Sequence, residues 1–290
     1  MKKRSSVLTL TICLPLLMAF MPASRIATSD TPEFTPPTQY PSACTTENTT
    51  FQDGEEITYK LYYNWNFVWL SAGEVTFRVK DLGKQYHFSA IGRTYKSYEW
   101  FYKVRDYYDT YVDKETLLPS ISIRNIQEGG YRLYDKVTFD RKRKVAVGLR
   151  GKTREEAKVT EYDIDHCIHD MLSIVYYSRN IEFDELAPGS TFPIQIFLDK
   201  ETYPLNVKYL GAEERKKVKG QGRFQTYVFS PQLIEGEVFK ENDQMKVWVS
   251  ADRNKIPLMI ESPVSVGSVK AVLKSYKGLK YEFDADAVEE

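Results

Sequence analysis

The chain has 290 residues, of which 42% are hydrophobic, so it can bury a sizeable core and is not a disordered protein. Its 40 basic and 40 acidic side chains balance, which argues against a dedicated nucleic-acid binder. Three cysteines are too few for a disulfide-dense scaffold or a multi-zinc protein.

The first 27 residues are predicted to form a secretory signal peptide. Lys2, Lys3 and Arg4 make a basic start, and the apolar run 7–20 has the length of a signal-peptide core and is too short to span a bilayer. Residues 28–50 follow as a Pro- and Thr-rich linker. We therefore expect export to the periplasm or envelope of a bacterium, with no transmembrane segment in the mature chain.

Two cysteines remain after such a cleavage, Cys44 in the linker and Cys167 near the middle of the chain. In an exported protein an even pair favours a disulfide, which would restrict the unfolded chain. The alternative is two unrelated thiols, one exposed and one buried. The sequence predicts the bridge.

Strands are predicted through most of the remaining chain. From Ile57 to Phe67 every second residue is large and apolar, and a period of two places such residues on one face of a sheet. Turn residues separate further segments of this kind. In chain order these are 75–79, 86–92, 107–112, 118–125, 131–139, 145–149, 157–162, 192–198, 203–209, 213–219, 224–230, 245–249, 256–261 and 269–273.

One segment, about 166–179, has helical spacing instead. Its apolar residues recur every three or four positions, and Asp163 or Asp165 is predicted to cap its start, with Asn180 at its end. Strands joined by short turns are antiparallel, and this many of them must curl or split. The predicted fold is mainly β, with one large curved antiparallel sheet, half-barrel-like, or two packed sheets, around this single central helix.

The strands and the helix are predicted to form one β-rich domain over residues 51–282. Its strand-rich halves, 51–162 and 190–282, flank the helix, and residues 283–290 form an acidic tail.

Motifs that would indicate catalysis are weak. Segment 146–153 fits a relaxed phosphate-loop pattern, but no apolar-faced helix follows, so a hairpin turn is the favoured interpretation. His166 and Asp170 could share a helix face and hold a metal with His87, although capping and packing are favoured roles. Serine-hydrolase, zinc-protease and Cys-x-x-Cys motifs are missing from the sequence. We therefore predict a protein that is not an enzyme, with no catalytic residues, metal or cofactor.

Segment 136–158 is strongly basic, with nine basic and three acidic residues. It could meet anionic lipid headgroups or acidic glycans. The favoured alternative is a solvated hairpin whose charges protect a sheet edge from aggregation.

The chain resembles the exported bacterial proteins of the domain-of-unknown-function family 3108. Glycines, prolines and core residues at characteristic spacings carry the resemblance over about residues 51–275. They are Phe51, Gly54, Glu55, Tyr59, Gly73, Asp170, Tyr176, Tyr177, Arg179, Pro188, Gly189, Gly222, Phe224, Val247, Trp248, Ser250, Asp252 and Pro257. The family implies a fold but no settled activity. The architecture is also loosely similar to LolA/LolB/RseB-type periplasmic carriers, in which a curved sheet with helices in its concavity holds an acyl chain.

The expected function is non-enzymatic binding of a hydrophobic or amphiphilic envelope component, such as a lipid or lipoprotein acyl chain, in a groove beside the helix. Aromatic residues cluster at 62–69 and again at 95–102. The predicted contacts are Tyr63, Trp65, Trp69 and Trp248, with Arg179 as a headgroup partner. One alternative is an envelope scaffold or sensor that binds a protein or glycan. A carboxylate-based hydrolase would need two carboxylates about 5–10 Å apart.

Overall fold

Fourteen antiparallel strands form one sheet in the computed structural model, which describes residues 46–65, 68–165, 167–183, 186–234, 244–264 and 267–283. The predicted signal peptide, most of the linker, Cys44 and nearly all of the acidic tail lie outside the described residues. Cys167 is half-buried and is not free. Because Cys44 lies outside the described residues, the disulfide between the two stays a prediction.

The strands follow the predicted order along the chain. They are β1 (Glu56–Trp65), β2 (Val68–Asp81), β3 (Gln85–Thr94), β4 (Arg105–Asp113), β5 (Pro119–Glu128), β6 (Tyr131–Asp140), β7 (Val145–Gly151), β8 (Lys158–Asp163), β9 (Thr191–Leu198), β10 (Glu201–Val218), β11 (Gly222–Pro231), β12 (Lys246–Ser250), β13 (Pro257–Pro263) and β14 (Ser268–Lys277).

Two meanders meet in the middle of the sheet. Its order runs from β8 back to β1 and then from β14 back to β9. β1 pairs with β14, with Tyr63 opposite Val269 and Ile57 opposite Tyr276. The predicted curved antiparallel sheet is therefore confirmed, and both predicted halves belong to it, instead of forming two packed sheets.

Alternation of side chains sets the buried face of this sheet. In β4, for example, Asp106, Tyr108, Thr110 and Val112 are buried, while the residues between them are half-buried or exposed. The largest apolar cluster lies on this face, where rings from β3, the chain before β1 and the helix pack together.

The helix, α1 (Met171–Ser178), begins later than predicted. The predicted start is extended because His169 pairs with edge strand β9: its N–H donates to the Gln195 carbonyl at 3.0 Å, and its carbonyl accepts from the Phe197 N–H at 2.8 Å. Asp163 and Asp165 were therefore the wrong caps, and the N-cap is Asp170. Within the described chain, no helix is long and apolar enough to cross a bilayer.

Two strand boundaries also differ from the prediction. β2 begins at Val68, and the predicted strands 203–209 and 213–219 are one strand, β10. Register shifts in β10 between Tyr209 and Gly211 and between Glu213 and Lys216 absorb the apparent break.

Side chains join the two edges of the open sheet, which are formed by β8 and β9. The ring of Phe197, near the tip of the β9–β10 hairpin, lies 6.1 Å from that of Phe139 on β6 and 5.6 Å from that of Tyr162 on β8. The sheet therefore curves like a barrel, but β8 and β9 are not paired as strands, so its backbone hydrogen bonds do not form a closed ring.

Candidate functional site

The structure brings three of the five predicted contact residues together, where β1 pairs with the start of β2, and places the other two elsewhere. Tyr63 is buried near the end of β1 in a small cluster with Ala72 and Val269. Trp69 on β2 is 38% exposed, and the Lys270 ammonium lies 4.4 Å from its ring centroid. Trp65 ends β1 beside them, and its side chain lies outside the described part of the chain.

Trp248 is buried in β12, away from these residues along the sheet. Its indole N–H donates to Glu213 Oε2 at 2.6 Å, and the Lys216 ammonium lies 3.8 Å from its ring. Trp248 therefore packs against β10 and presents no open face for a ligand.

Arg179 is buried directly after the helix, with 3% of its surface exposed. Its guanidinium donates to both carboxylate oxygens of Glu55, at 2.6 and 2.9 Å, and to the carbonyls of Thr50 and Asn254. These contacts join the chain before β1, the helix and the β12–β13 turn. They leave Arg179 no access to a headgroup, so this predicted role is wrong.

The groove expected beside the helix is filled by aromatic rings. Tyr176 of α1 stacks on Phe88 with centroids 3.9 Å apart, and Phe51 packs edge-on against both. Tyr176 and Leu172 belong to the main core cluster. This face of the helix is therefore packed core, where the prediction placed a groove.

Exposed apolar residues instead concentrate at one end of the sheet. Val68, Trp69 and Leu70 form the start of β2, and Trp100 and Phe101 lie in the turn between β3 and β4. We call these five residues the aromatic end. Trp100 is 84% exposed, the largest exposure among the large hydrophobic residues. Contiguous exposed apolar residues of this kind usually mark an interaction site.

The sheet register brings the two parts of the aromatic end side by side. β3 stops at Thr94, opposite Gly73 of β2, and the Tyr95 N–H donates to the Ala72 carbonyl at 3.0 Å. The turn after β3 therefore lies beside the start of β2. A Cβ at Gly73 would lie 2.3 Å from the Arg93 carbonyl, so only glycine permits this close approach.

Half-buried rings support the exposed ones. Tyr98 and Tyr102 pack against the Tyr63 cluster, and the Phe101 ring lies 5.6 Å from Tyr98 and 5.9 Å from Trp100. The aromatic run 95–102 is visible in the sequence, but none of the predicted ligand contacts lies in it. The missed signal is that the run does not alternate, so one sheet face cannot bury all of its rings.

The basic segment 136–158 is divided between the two ends of the sheet. Lys142 and Lys144 lie in the β6–β7 turn, opposite the aromatic end, whereas Lys152 and Lys158 lie at the same end as Trp100. Segment 146–153 forms most of β7 and only the start of the next turn, so it is mainly strand, where the favoured interpretation placed a hairpin turn.

A buried charge cluster lies inside the curved sheet near the aromatic end. Arg124 of β5 and Arg150 of β7 each bind both Asp135 of β6 and Asp199 of the β9–β10 turn. The Arg124–Asp199 and Arg150–Asp199 distances are 2.8 and 2.5 Å. Two guanidinium groups and two carboxylates balance, which offsets the cost of burying them. The cluster joins the hairpin tip to the opposite part of the sheet.

Two further carboxyl groups, Asp106 of β4 and Glu128 of β5, are buried nearby. Burial and the Glu128 charge raise the pKa of Asp106 to about 8. Its Oδ1 accepts from the Gln127 N–H, whereas its buried Oδ2 has no hydrogen-bond partner among the described residues. Both carboxyl groups are enclosed, whereas a hydrolase pair must reach water and substrate.

The residues considered for a metal site have other partners. Asp170 accepts from Thr110 and Ser122 as well as from the start of the helix, and His87 lies 2.8 Å from Asp109. His166 lies outside the described residues. In the described ranges, three or more His, Cys, Asp or Glu side chains nowhere group closely enough to hold a metal.

A cleft of about 490 Å³ opens at the end opposite the aromatic end. Polar and charged side chains line most of it, including Glu182, Asp252, Arg253 and Lys255. The Arg253 guanidinium lies 3.8 Å from the Tyr281 ring centroid. Its mixed charges suit a polar ligand better than an acyl chain.

Comparisons with known proteins show similarity to one family and to several solved folds. A family model described as "Protein of unknown function (DUF3108)" matches residues 58–274. None of the curated proteins compared with the chain matches it significantly.

Among solved structures, the chain is similar to a β-barrel-like protein of domain of unknown function DUF1849 from Brucella abortus. The identity is 8% and the TM-score 0.52, over 79% of this chain and 98% of that one. This likeness supports the fold alone. A candidate exported protein with a YmcC-like fold from Bacteroides fragilis (13% identity, 80% and 99% coverage, TM-score 0.29) and a candidate lipoprotein from Parabacteroides distasonis (12%, 80% and 99%, TM-score 0.30) also match.

Proposed function

The chain belongs to the DUF3108 family, whose function is unknown, and from that premise we propose that it is an exported, non-enzymatic protein of the bacterial cell envelope. It binds a hydrophobic or amphiphilic envelope component, such as a lipid or a lipoprotein acyl chain, through the aromatic end. The basic start and apolar run of residues 1–27 support the export.

The observation that carries this proposal is the exposure of Trp100 next to Phe101, beside Val68, Trp69 and Leu70. Burying one large apolar side chain contributes about 1.5–3 kcal/mol, so several of these contacts must act together to approach the roughly 8 kcal/mol of a micromolar complex. The indole N–H groups can meet polar headgroup atoms while the rings contact acyl carbons.

A direct test is titration with a short-chain phospholipid below its critical micelle concentration. The tryptophan emission of the wild-type chain should shift to shorter wavelength as the lipid covers the exposed indoles. The Trp69→Ala/Trp100→Ala double variant should lose the shift and bind at least tenfold more weakly. Leu82→Ala, which removes an exposed apolar side chain at the opposite end, is the matched control. Equal binding by all three proteins would refute the proposal.

A protein or glycan partner is the second candidate, because the cleft beside Arg253 and Lys255 is polar. Such a partner should respond to Arg253→Ala and should not respond to changes at Trp69 or Trp100. Crosslinking in a bacterial envelope, followed by mass spectrometry of the adducts, separates these two outcomes.

A further inference from the structure

We propose that the aromatic end docks onto the surface of an anionic lipid bilayer. This inference rests on the proposed function. It identifies the binding partner as the surface of a membrane and not as a single lipid molecule taken out of it. In this geometry Trp100 and Trp69 enter the headgroup region and the long axis of the strands points towards the membrane.

The shape of this end fits a planar partner. The start of β2 and the β3–β4 connection lie side by side and carry exposed rings at the same end of the sheet. Both rest on the buried Tyr63 and on the half-buried Tyr98 and Tyr102 that pack against it, so the rings are presented on a supported base. The Tyr102 ring also packs over Gly129, which couples the next connection, between β5 and β6, to the same base.

Exposed basic side chains lie in or beside the β3–β4, β5–β6 and β7–β8 turns at this end of the sheet. They are Lys96, Lys103, Arg132, Lys152, Arg154 and Lys158. In the same turns Glu155 and Glu156 are exposed acids, while Glu99 is paired with Arg105. The excess of positive charge complements anionic headgroups, and aromatic rings flanked by lysine and arginine are typical of the membrane interface.

The same composition argues against a protein partner at this surface. The centres of protein–protein interfaces are depleted in lysine, because a desolvated ammonium is costly. Here Lys270 lies directly over the Trp69 ring, and Lys96 and Lys103 bracket Trp100 along the chain. At a bilayer surface these ammonium groups stay hydrated beside the phosphates while the rings enter deeper.

Vesicle sedimentation tests the proposal with the mature chain. We expect binding to vesicles of phosphatidylcholine mixed with phosphatidylglycerol, much weaker binding to phosphatidylcholine alone, and loss of binding as salt is raised. Wild-type tryptophan emission should also be quenched by lipids brominated near the headgroup, a measurement that needs no variant.

Two pairs of variants locate the contact. Trp100→Ala/Phe101→Ala should weaken vesicle binding at least tenfold, against Leu82→Ala as the control. Lys96→Ala/Lys103→Ala should weaken it about 25-fold at low salt, since each charge near the surface contributes about fivefold. Lys84→Ala/Lys142→Ala removes two exposed lysines from the opposite end and should change nothing.

Failure of this proposal is distinguishable from failure of the proposed function. If the short-chain phospholipid binds but vesicles of either composition do not, the aromatic end holds a single amphiphile and bilayer docking is overturned. If neither binds, both proposals fail. Equal binding to both vesicle types, or binding unaffected by the Lys96 and Lys103 changes, overturns the electrostatic basis of docking.

Discussion

Asp106 shows how one enclosed carboxyl group links stability to pH. It is fully buried in β4, and burial with the neighbouring Glu128 charge raises its pKa to about 8. The unfolded chain releases this proton near pH 4, whereas the folded chain holds it until about pH 8. The contribution of Asp106 to stability is therefore fully present below pH 4 and is lost as the pH rises through about 8.

Replacing Asp106 by Asn should remove this dependence. The wild-type free energy of unfolding should fall relative to that of Asp106→Asn as the pH rises from 5 to 8, by up to about 1.4 kcal/mol per pH unit. Urea unfolding at pH 5, 6.5 and 8 measures the difference, and Asp163→Asn, which changes an exposed acid at the end of β8, serves as the control. Parallel pH profiles for wild type and Asp106→Asn would contradict the raised pKa.

Residue-level predictions from sequence succeeded where burial alone mattered and failed where partners mattered. Alternation places Tyr63 and Trp248 on strands. It cannot show that the Trp248 indole N–H on β12 donates a hydrogen bond to Glu213 on β10. Arg179 looks like a free cation at the end of a helix. Its Glu55 partner is 124 positions earlier, so no local pattern shows that the charge is used inside the core.

At the level of elements, the start of α1 depends on one side chain. Asp170 accepts from the Ser173 N–H at 3.0 Å as the cap, and its Oδ2 accepts from the Thr110 and Ser122 hydroxyls at 2.5 and 2.9 Å. Because all of these groups are buried, the carboxylate both caps the helix and attaches it to β4 and β5.

Asp170→Ala should therefore destabilise the protein by about 3 kcal/mol, through the lost cap and the unpaired hydroxyls. Chemical unfolding measures this value. Asp165→Ala is the matched control, because Asp165 is an exposed acid just before the helix and the structure gives it no capping role. A similar loss from both variants would contradict the assignment of the cap.

Strands were predictable from sequence because their signal is local. Nearly every strand between β2 and β7 alternates buried with exposed or half-buried positions, which the side-chain period of two already indicates. The helix start and the continuity of β10 were not predictable, since each depends on pairing with a distant segment. His169 is extended because β9 binds it, and β10 stays one strand because β11 tolerates its bulges.

At the level of the whole molecule, the β9–β10 turn completes the curvature of an open sheet. Asp199 is its central contact, since it binds Arg124 and Arg150 from the other half of the sheet. Removing Asp199 leaves two buried guanidinium groups with Asp135 as their one remaining carboxylate from this cluster.

Asp199→Ala should cost about 3–5 kcal/mol, because it leaves buried charge uncompensated. Hydrogen exchange should rise first in β9 and β10, and should rise less in the central strands β1 and β14. Lys200→Ala, in the same turn but exposed, is the control. If protection from hydrogen exchange fell equally in all strands, the β9–β10 hairpin would not open separately from the rest of the sheet.

The seam between β1 and β14 has a consequence for how the chain is made. A polypeptide is synthesised from its N-terminus, so β1 to β8 can pair in sequence while the second edge of β1 has no partner. That edge is completed by residues 268–277, which follow the other thirteen strands of the sheet along the chain. Until then the middle of the future sheet is an open template for strands of other chains. The interval between the emergence of the first and last strands of the sheet is therefore when this edge is most open to pairing with other chains.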